Sequence, residues 1–204
     1  MKKIKKNFIC FLLVFVVSMV SMPLASVFAA TNNGIETTLL KTLQCPTKGV
    51  YNINIYYLQL MLNKFPCVNP KIAFDGKWGT ETQTAVAKFQ ASTVKIGWSS
   101  KNSFPTNGSY DGIVGPVTAT AIVQAALAIC YCTMEHPLNS SYWNPTCVIS
   151  DPGIIDGQFG TLGTSNTSRA VINFQKYRGY ATQINYVDAN IWGTLANTVN
   201  ALKF

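Results

Sequence analysis

The side chains that most often do chemistry are scarce in this sequence. Its 204 residues hold one histidine, His136, and eight carboxylates. A zinc hydrolase needs two or three histidines, which the sequence does not have. A cysteine peptidase needs a Cys–His pair, and the histidine available for it, His136, lies beside Pro137 in an irregular stretch. A glycosidase needs two facing carboxylates, and the acids outside predicted turns and helix starts (Glu36, Glu135 and Asp151) form no evident pair. We therefore predict no catalytic residues and a protein that is not an enzyme.

The first 29 residues have the pattern of a signal peptide. Four lysines precede an apolar run over residues 8–20, and Val27 and Ala29 suit the recognition positions of signal peptidase. The run makes about 20 Å of helix, short of the roughly 30 Å that spans a bilayer. An uncleaved anchor is the alternative, but Pro23 and the small residues after it favour cleavage near Ala29. We predict an exported protein, secreted or in the cell wall, with no membrane contact after signal removal.

Export decides how the cysteines are interpreted, because disulfides are the default outside the cytoplasm. Five cysteines follow the leader, so one is left unpaired. A bridge between Cys45 and Cys67 is geometrically possible across a predicted helix, and Cys147 is placed to pair with Cys130 or Cys132. A metal site built from the last three cysteines and His136 is the alternative, but C-x-C is not a usual zinc spacing. We predict no metal and no cofactor.

One pentapeptide pattern recurs along the chain. Asp-Gly-x-apolar-Gly occurs at residues 75–79, 111–115 and 156–160, and a degenerate copy occurs at 189–193, with Asp188 one place early. Glycine supplies a positive φ, and the aspartate bonds the backbone amides that follow it, which predicts a tight turn.

Helix signals follow each of these turns. Apolar spacing predicts helices over about 53–65, 80–91 and 116–130, and further helices after Ser165 and from Thr194. Two of the helices end in the same motif, Ala-Val-x-x-Phe-Gln, at 85–90 and 170–175. The fold is therefore predicted to be mainly α, with long irregular loops.

The order Leu-Gln-x-x-Leu, Asp-Gly-x-Trp/Phe-Gly-x-x-Thr, Ala-Val-x-x-Phe-Gln, Asp-Gly-x-Val-Gly-Pro-x-Thr resembles the peptidoglycan-binding domain that is appended to bacterial cell-wall hydrolases. The resemblance implies two tandem three-helix bundles. An N-terminal extension (30–50) would precede module 1 (51–131) and a degenerate module 2 (132–204). The first helix of module 2 is either shared with module 1, at 116–130, or hidden within 131–150.

The resemblance implies binding of bacterial peptidoglycan, through its peptide stem and adjoining sugar, without chemistry. The aspartates of the turns are candidate ligand contacts as well as turn formers. The glutamines that end the two Ala-Val-x-x-Phe-Gln motifs are candidates to reach a ligand groove. Tyr177, like Trp78, Trp98 and Tyr180, offers a flat face for a sugar or a peptide. The predicted ligand-binding residues are Asp75, Gln90, Asp111, Asp156, Gln175 and Tyr177.

A structural or adaptor protein that holds a protein partner, such as a separately encoded wall hydrolase, is the alternative to wall binding. Nucleic acid is not expected, because the basic residues are dispersed and the protein is exported.

Overall fold

The computed structural model of the protein describes residues 31–92, 95–96, 100–101, 110–134 and 150–202. The predicted signal peptide, Trp98, His136 and Cys147 lie outside these residues. The described chain is mainly helical, as predicted. Its helices are α1 (Thr37–Gln44), α2 (Ile53–Leu62), α3 (Thr80–Ala91), α4 (Pro116–Met134), α5 (Asn166–Tyr177) and α6 (Ala189–Ala201). Its strands are β1 (Thr31–Asn32), β2 (Ile35–Glu36), β3 (Lys95–Ile96) and β4 (Ser100–Lys101).

Helix α4 is the centre of the molecule. Pro116 begins it, at the position where a missing N–H is tolerated, and every residue from 118 to 130 is buried. A helix that is apolar on all sides has to be covered on all sides, and α1, α2, α5 and α6 all contact it. None of the helices in the described ranges has the length and apolar character needed to cross a membrane.

Among the described helices, α2 and α6 pack against each other most extensively. Trp192 on α6 is fully buried, and its indole N–H donates to the carbonyl of Asn54 over 3.2 Å. A Cβ at Gly193 would lie 2.6 Å from the ring of Tyr57, so only glycine allows this approach. The last helix is thereby fixed to the first helix of predicted module 1.

The N-terminal segment, which was predicted only as an extension, is folded onto the body of the protein. Strands β1 and β2 pair antiparallel through a turn at Asn33 and Gly34. The φ angles of these two residues are 51° and 74°, as a type I′ hairpin turn requires. Helix α1 follows at once and buries its leucines, Leu39, Leu40 and Leu43.

The predicted module boundary, between residues 131 and 132, falls inside α4. The buried apolar residues of both predicted modules also belong to one connected core. The fourth predicted turn is wrong: residues 189–193 form the start of α6, which Asp188 caps by accepting from the N–H of Ile191 over 2.8 Å. A helix had been expected only from Thr194.

Candidate functional site

Three buried glutamines hold the three Asp-Gly turns. Gln59, Gln90 and Gln124 lie on α2, α3 and α4, and their exposed fractions are 1%, 8% and 1%. Each side-chain amide reaches the next Asp-Gly turn along the chain and the threonine that follows the turn. We call each such set a corner. Corner 1 is Gln59, Asp75, Gly76, Lys77 and Thr82; corner 2 is Gln90, Asp111, Gly112, Ile113 and Thr118; corner 3 is Gln124, Asp156, Gly157, Gln158 and Thr167.

The hydrogen bonds of corner 2 use both polar atoms of the amide. Gln90 Nε2 lies 3.1 Å from Asp111 Oδ1, 3.0 Å from the carbonyl oxygen of Ile113 and 3.1 Å from Thr118 Oγ1. Gln90 Oε1 accepts from the N–H of Gly112 over 2.9 Å.

Corners 1 and 3 repeat this pattern closely. The corresponding donor–acceptor distances are 3.1, 3.0, 3.0 and 2.8 Å at corner 1. At corner 3 they are 3.0, 3.1, 3.0 and 2.9 Å. The same four-contact clamp therefore occurs three times.

Each aspartate also bonds its own turn. Its Oδ1 accepts from the backbone N–H two residues later, over 2.9 Å at Asp75 and 2.8 Å at both Asp111 and Asp156. At corner 1 the N–H of Lys77, and then the amide of Gln59, lower the pKa of Asp75 below its ordinary value of 3.8. These contacts favour the ionised carboxylate within the turn.

The glycine after each aspartate permits a close approach between two stretches of backbone. The φ angles of Gly76, Gly112 and Gly157 are 70°, 70° and 71°. An added Cβ would lie 2.5 Å from the carbonyl oxygen of Gln83 at corner 2 and 2.6 Å from that of Val117 at corner 3. At corner 1 it would lie 2.5 Å from the ring of Tyr51. The turns of corners 2 and 3 therefore contact the helix that carries their glutamine, and the turn of corner 1 contacts the chain just before that helix.

The corners are linked because α3 and α4 each serve two of them. Helix α3 gives Thr82 to corner 1 and Gln90 to corner 2, and α4 gives Thr118 to corner 2 and Gln124 to corner 3. Helix α4 therefore takes part in two corners, as α3 does.

The N-terminal hairpin, residues 31–36, contacts corner 3. The Nδ2 atom of Asn33 donates to the carbonyl of Gly157 over 2.5 Å, and its Oδ1 accepts from the N–H of Phe159 over 3.0 Å. The carbonyl of Asn33 accepts from the hydroxyl of Thr120 over 2.9 Å. The hairpin of residues 31–36 is therefore docked on corner 3.

Gln175, on α5, holds a different loop. It is fully buried, and its Nε2 donates to the carbonyls of Val171 (3.2 Å) and Ile184 (2.6 Å). Its Oε1 accepts from the N–H of Ile184 over 2.9 Å. As in the corners, a buried amide hydrogen-bonds the backbone of a loop, but this loop contains no Asp-Gly pair.

The predicted ligand-binding residues are therefore distributed over several places. Asp75 and Asp111 are exposed, Asp156 is half-buried, and only Gln90 and Asp111 are in direct contact with each other. Gln90 and Gln175 are buried, with both amide atoms bonded inside the protein. Tyr177 is 37% exposed near the end of α5. A ligand contact by any of these six residues stays a prediction.

The roles of Gln59, Gln124 and the three threonines are not among those predicted from the sequence. All four buried glutamines directly follow a buried apolar residue on a helix: Leu58, Phe89, Val123 and Phe174. The exposed Gln44 also follows a buried residue, Leu43, on a helix, so this position alone does not identify a clamp.

Three cysteines, Cys45, Cys67 and Cys130, are free thiols. Cys45 is exposed, Cys67 is half-buried and Cys130 is buried, so the Cys45–Cys67 bridge that the sequence allowed is not formed in this structure. Burial raises the pKa of Cys130 to about 12, which keeps it protonated at neutral pH. Of the described residues, no three or more His, Cys, Asp or Glu side chains come together as a metal site would require.

Comparisons of this chain with protein-family models, with curated proteins and with solved structures find no match.

Proposed function

We propose that this chain is an exported, non-catalytic protein that attaches to the peptidoglycan of the bacterial cell wall. The observation that carries the proposal is the threefold corner. The resemblance to peptidoglycan-binding domains rests in part on the glutamine, the Asp-Gly pair and the threonine of corners 1 and 2. The same residue types make matching contacts at corner 3.

The corners suit a binding scaffold because they fix the ends of the helices before any ligand arrives. Each clamp joins a buried amide to a turn and to the next helix, so the surface between corners does not have to be ordered on binding. Preorganisation of this kind removes part of the entropic cost of association. In this proposal α2–α3–α4 and α4–α5–α6 act as two successive three-helix groups that share α4.

Exposed side chains of the predicted site and the charge of the chain support contact with a wall polymer. Asp75, Asp111 and Tyr177 remain available at the surface as ligand contacts, unlike the amides of Gln90 and Gln175. Beyond the predicted leader, twelve basic residues face eight acidic ones, a modest excess that favours an anionic polymer.

Co-sedimentation tests the proposal directly. The purified protein is mixed with insoluble peptidoglycan and, in parallel, with insoluble chitin, which offers sugar without peptide stems. We expect the protein to pellet with peptidoglycan and to remain in solution with chitin, without releasing soluble wall fragments. Equal recovery from both polymers, or none from peptidoglycan, would contradict wall binding, and released fragments would contradict a non-catalytic role.

A protein partner, such as a separately encoded wall hydrolase, is the second candidate. Exposed apolar side chains near corner 1 favour it: Tyr51 is 58% exposed, Phe74 55% and Ile53 44%. Clustered apolar groups of this kind are typical of surfaces that contact other proteins. Capture of a soluble hydrolase by a protein that does not pellet with peptidoglycan would favour this candidate.

A further inference from the structure

A small cleft lies beside corner 1, between one face of α3 and the chain that leads from α2 to the turn. Its volume is about 230 Å³. Val68 and Ala85 are buried side chains that line it, with exposed fractions of 0% and 1%. The volume is below the roughly 300–1,000 Å³ of pockets that enclose a drug-sized ligand, so the cleft suits a short segment with small side chains.

Hydrogen bonds hold the wall opposite α3 in place. Asn63 Nδ2 donates to the carbonyl of Ile72 over 2.7 Å, and Asn63 Oδ1 accepts from the N–H of Ile72 over 2.8 Å. Lys71 Nζ donates to the carbonyl of Phe65 over 3.2 Å, and Lys88 Nζ donates to the carbonyl of Asn69 over 2.5 Å. Both lysines line the cleft, and each ammonium keeps further N–H groups for a ligand.

Opposite charges stand at the two ends of the α3 wall. Glu81, Thr84, Ala85 and Lys88 line the cleft at the spacing that places residues on one face of a helix. Seven residues separate Glu81 from Lys88, which is about 10 Å along a helix axis. Lys71, on the other wall, is the remaining charged group that lines the cleft.

We propose that this cleft binds a short peptide that carries a free carboxylate at one end and an amino group about three residues away. The carboxylate pairs with Lys88 and Lys71, and the amino group pairs with Glu81. Three extended residues span about 10 Å at about 3.3 Å each, which matches the separation of the charges on α3. Ala85 and Val68 leave room only for small side chains between the two ends.

The proposal rests on the proposed function, because it assigns the cleft to the peptide stem of peptidoglycan rather than to its sugar. It differs from the predicted site in its residues, since none of the corner residues carries it.

A synthetic tripeptide tests the charge requirement. The probe is Nα-acetyl-L-Lys-D-Ala-D-Ala, which has a terminal carboxylate, two methyl side chains and one ammonium. The purified folded protein is titrated with it by calorimetry and by NMR. We expect amidation of the carboxylate to weaken binding at least about tenfold, as expected for loss of a charge-assisted hydrogen bond, and acetylation of the lysine side chain to weaken it less. Equal binding of the amidated peptide, or no binding of the parent peptide, would overturn the proposal.

Protein variants locate the site. Lys88→Met and Glu81→Gln remove one charge each, and Lys176→Met is the matched control, because Lys176 also lies in the last turn of a helix. We expect about tenfold weaker binding for Lys88→Met, a smaller loss for Glu81→Gln and none for the control. Lys88→Met also removes the hydrogen bond from Lys88 to the carbonyl of Asn69. Glu81 is exposed and Glu81→Gln is isosteric, so a loss of binding in this variant does not depend on that bond. Unchanged binding by Glu81→Gln and Lys88→Met would overturn the assignment.

The same variants separate this proposal from the proposed function. If the parent protein and both variants pellet equally with peptidoglycan, wall binding stands and the cleft is not its site. If the parent does not pellet at all, wall binding fails whatever the tripeptide does. Inorganic phosphate serves as a further competitor, and displacement of the tripeptide by low concentrations of phosphate would show a simple anion site and overturn the peptide assignment.

Discussion

Replacing Gln90 with alanine separates a structural role of this residue from a role in ligand contact. The change removes every hydrogen bond that the side-chain amide makes in corner 2. If the corner is a structural clamp, Gln90→Ala lowers the free energy of unfolding, and any loss of ligand binding follows from that loss of stability.

The size of the effect follows from the contacts that are lost. Gly112 is buried, and without Gln90 Oε1 its N–H loses its partner, which costs about 1–3 kcal/mol. The two hydrogens on Nε2 are shared among three acceptors, and their loss adds about 0.5–1.5 kcal/mol for each of two bonds. We expect a total of about 2–6 kcal/mol, a large share of the roughly 5–15 kcal/mol that stabilises a typical domain.

Urea unfolding followed by circular dichroism measures this difference. We expect a lower midpoint with an unchanged m-value, and a melting temperature lower by about 10 °C. Gln158→Ala is the matched control, because the Gln158 side chain is exposed in corner 3 and only its backbone takes part in the clamp. A loss below about 1 kcal/mol for Gln90→Ala, similar to the control, would refute the clamp.

Glutamate at the same position tests the direction of the hydrogen bonds. Gln90→Glu keeps the shape of the side chain but points an oxygen at the acceptors of Asp111, Ile113 and Thr118. The buried carboxyl then has a folded-state pKa above its unfolded value of about 4.3. The variant therefore loses stability relative to the parent as pH rises above about 4 and recovers it below that pH. The same profile in the exposed variant Gln158→Glu would contradict this explanation.

Three further changes test other parts of the corners. Gly112→Ala should cost about 2–4 kcal/mol in urea unfolding, because it combines a positive φ with a backbone clash. Gly49→Ala has the same sign of φ and open space around it, so it should cost only about 1 kcal/mol, and equal losses would contradict the clash. Asp75→Asn should lower the urea midpoint at pH 7, and its difference from the parent should shrink as pH falls below about 4. Because the folded-state pKa of Asp75 lies below 3.8, its stabilisation is present above the unfolded pKa and is lost as pH falls, and a difference that is constant with pH would refute it. Asn33→Ala should increase amide hydrogen exchange at Phe159, its partner in corner 3, and unchanged protection there would show that the hairpin is held by other contacts.

The local parts of the fold could be predicted from the sequence. Helix α3 begins and ends at the predicted residues, and α4 begins at the predicted proline. Apolar spacing and the Gly-Pro start are signals within one segment, so no distant contact is needed to read them.

The helical start of α6 could not be predicted, because its glycine serves a distant contact. Gly193 resembles the last residue of an Asp-Gly turn, but in the structure it is helical and lies against Tyr57, 136 positions earlier. Asp188 caps the helix instead of forming a turn. A glycine needed for close helix packing and a glycine needed for a positive φ look the same in a sequence.

The glutamine clamps were missed for a similar reason. Gln59, Gln90 and Gln124 lie 16, 21 and 32 residues before the aspartates that they bind. No helical or strand period covers such separations, and the helices themselves are fixed without the amides. The turns could therefore be predicted, but not what holds them.

The N-terminal hairpin could have been predicted in part. Asn33-Gly34 is a strong hairpin signal, and it was missed because residues 30–50 were interpreted as an extension. Its docking on Gly157, 124 positions away, has no counterpart in local sequence.

The spacing between each glutamine and its aspartate also defines where foreign sequence can be inserted. Doubling this separation from 16 to 32 residues leaves the clamp distances unchanged, and the added loop-closure entropy of a doubling is only about 0.6 kcal/mol. A tag or reporter peptide is therefore best grafted after Met134, the last residue of α4, and before Ser150, because the separation between a glutamine and its aspartate is greatest there.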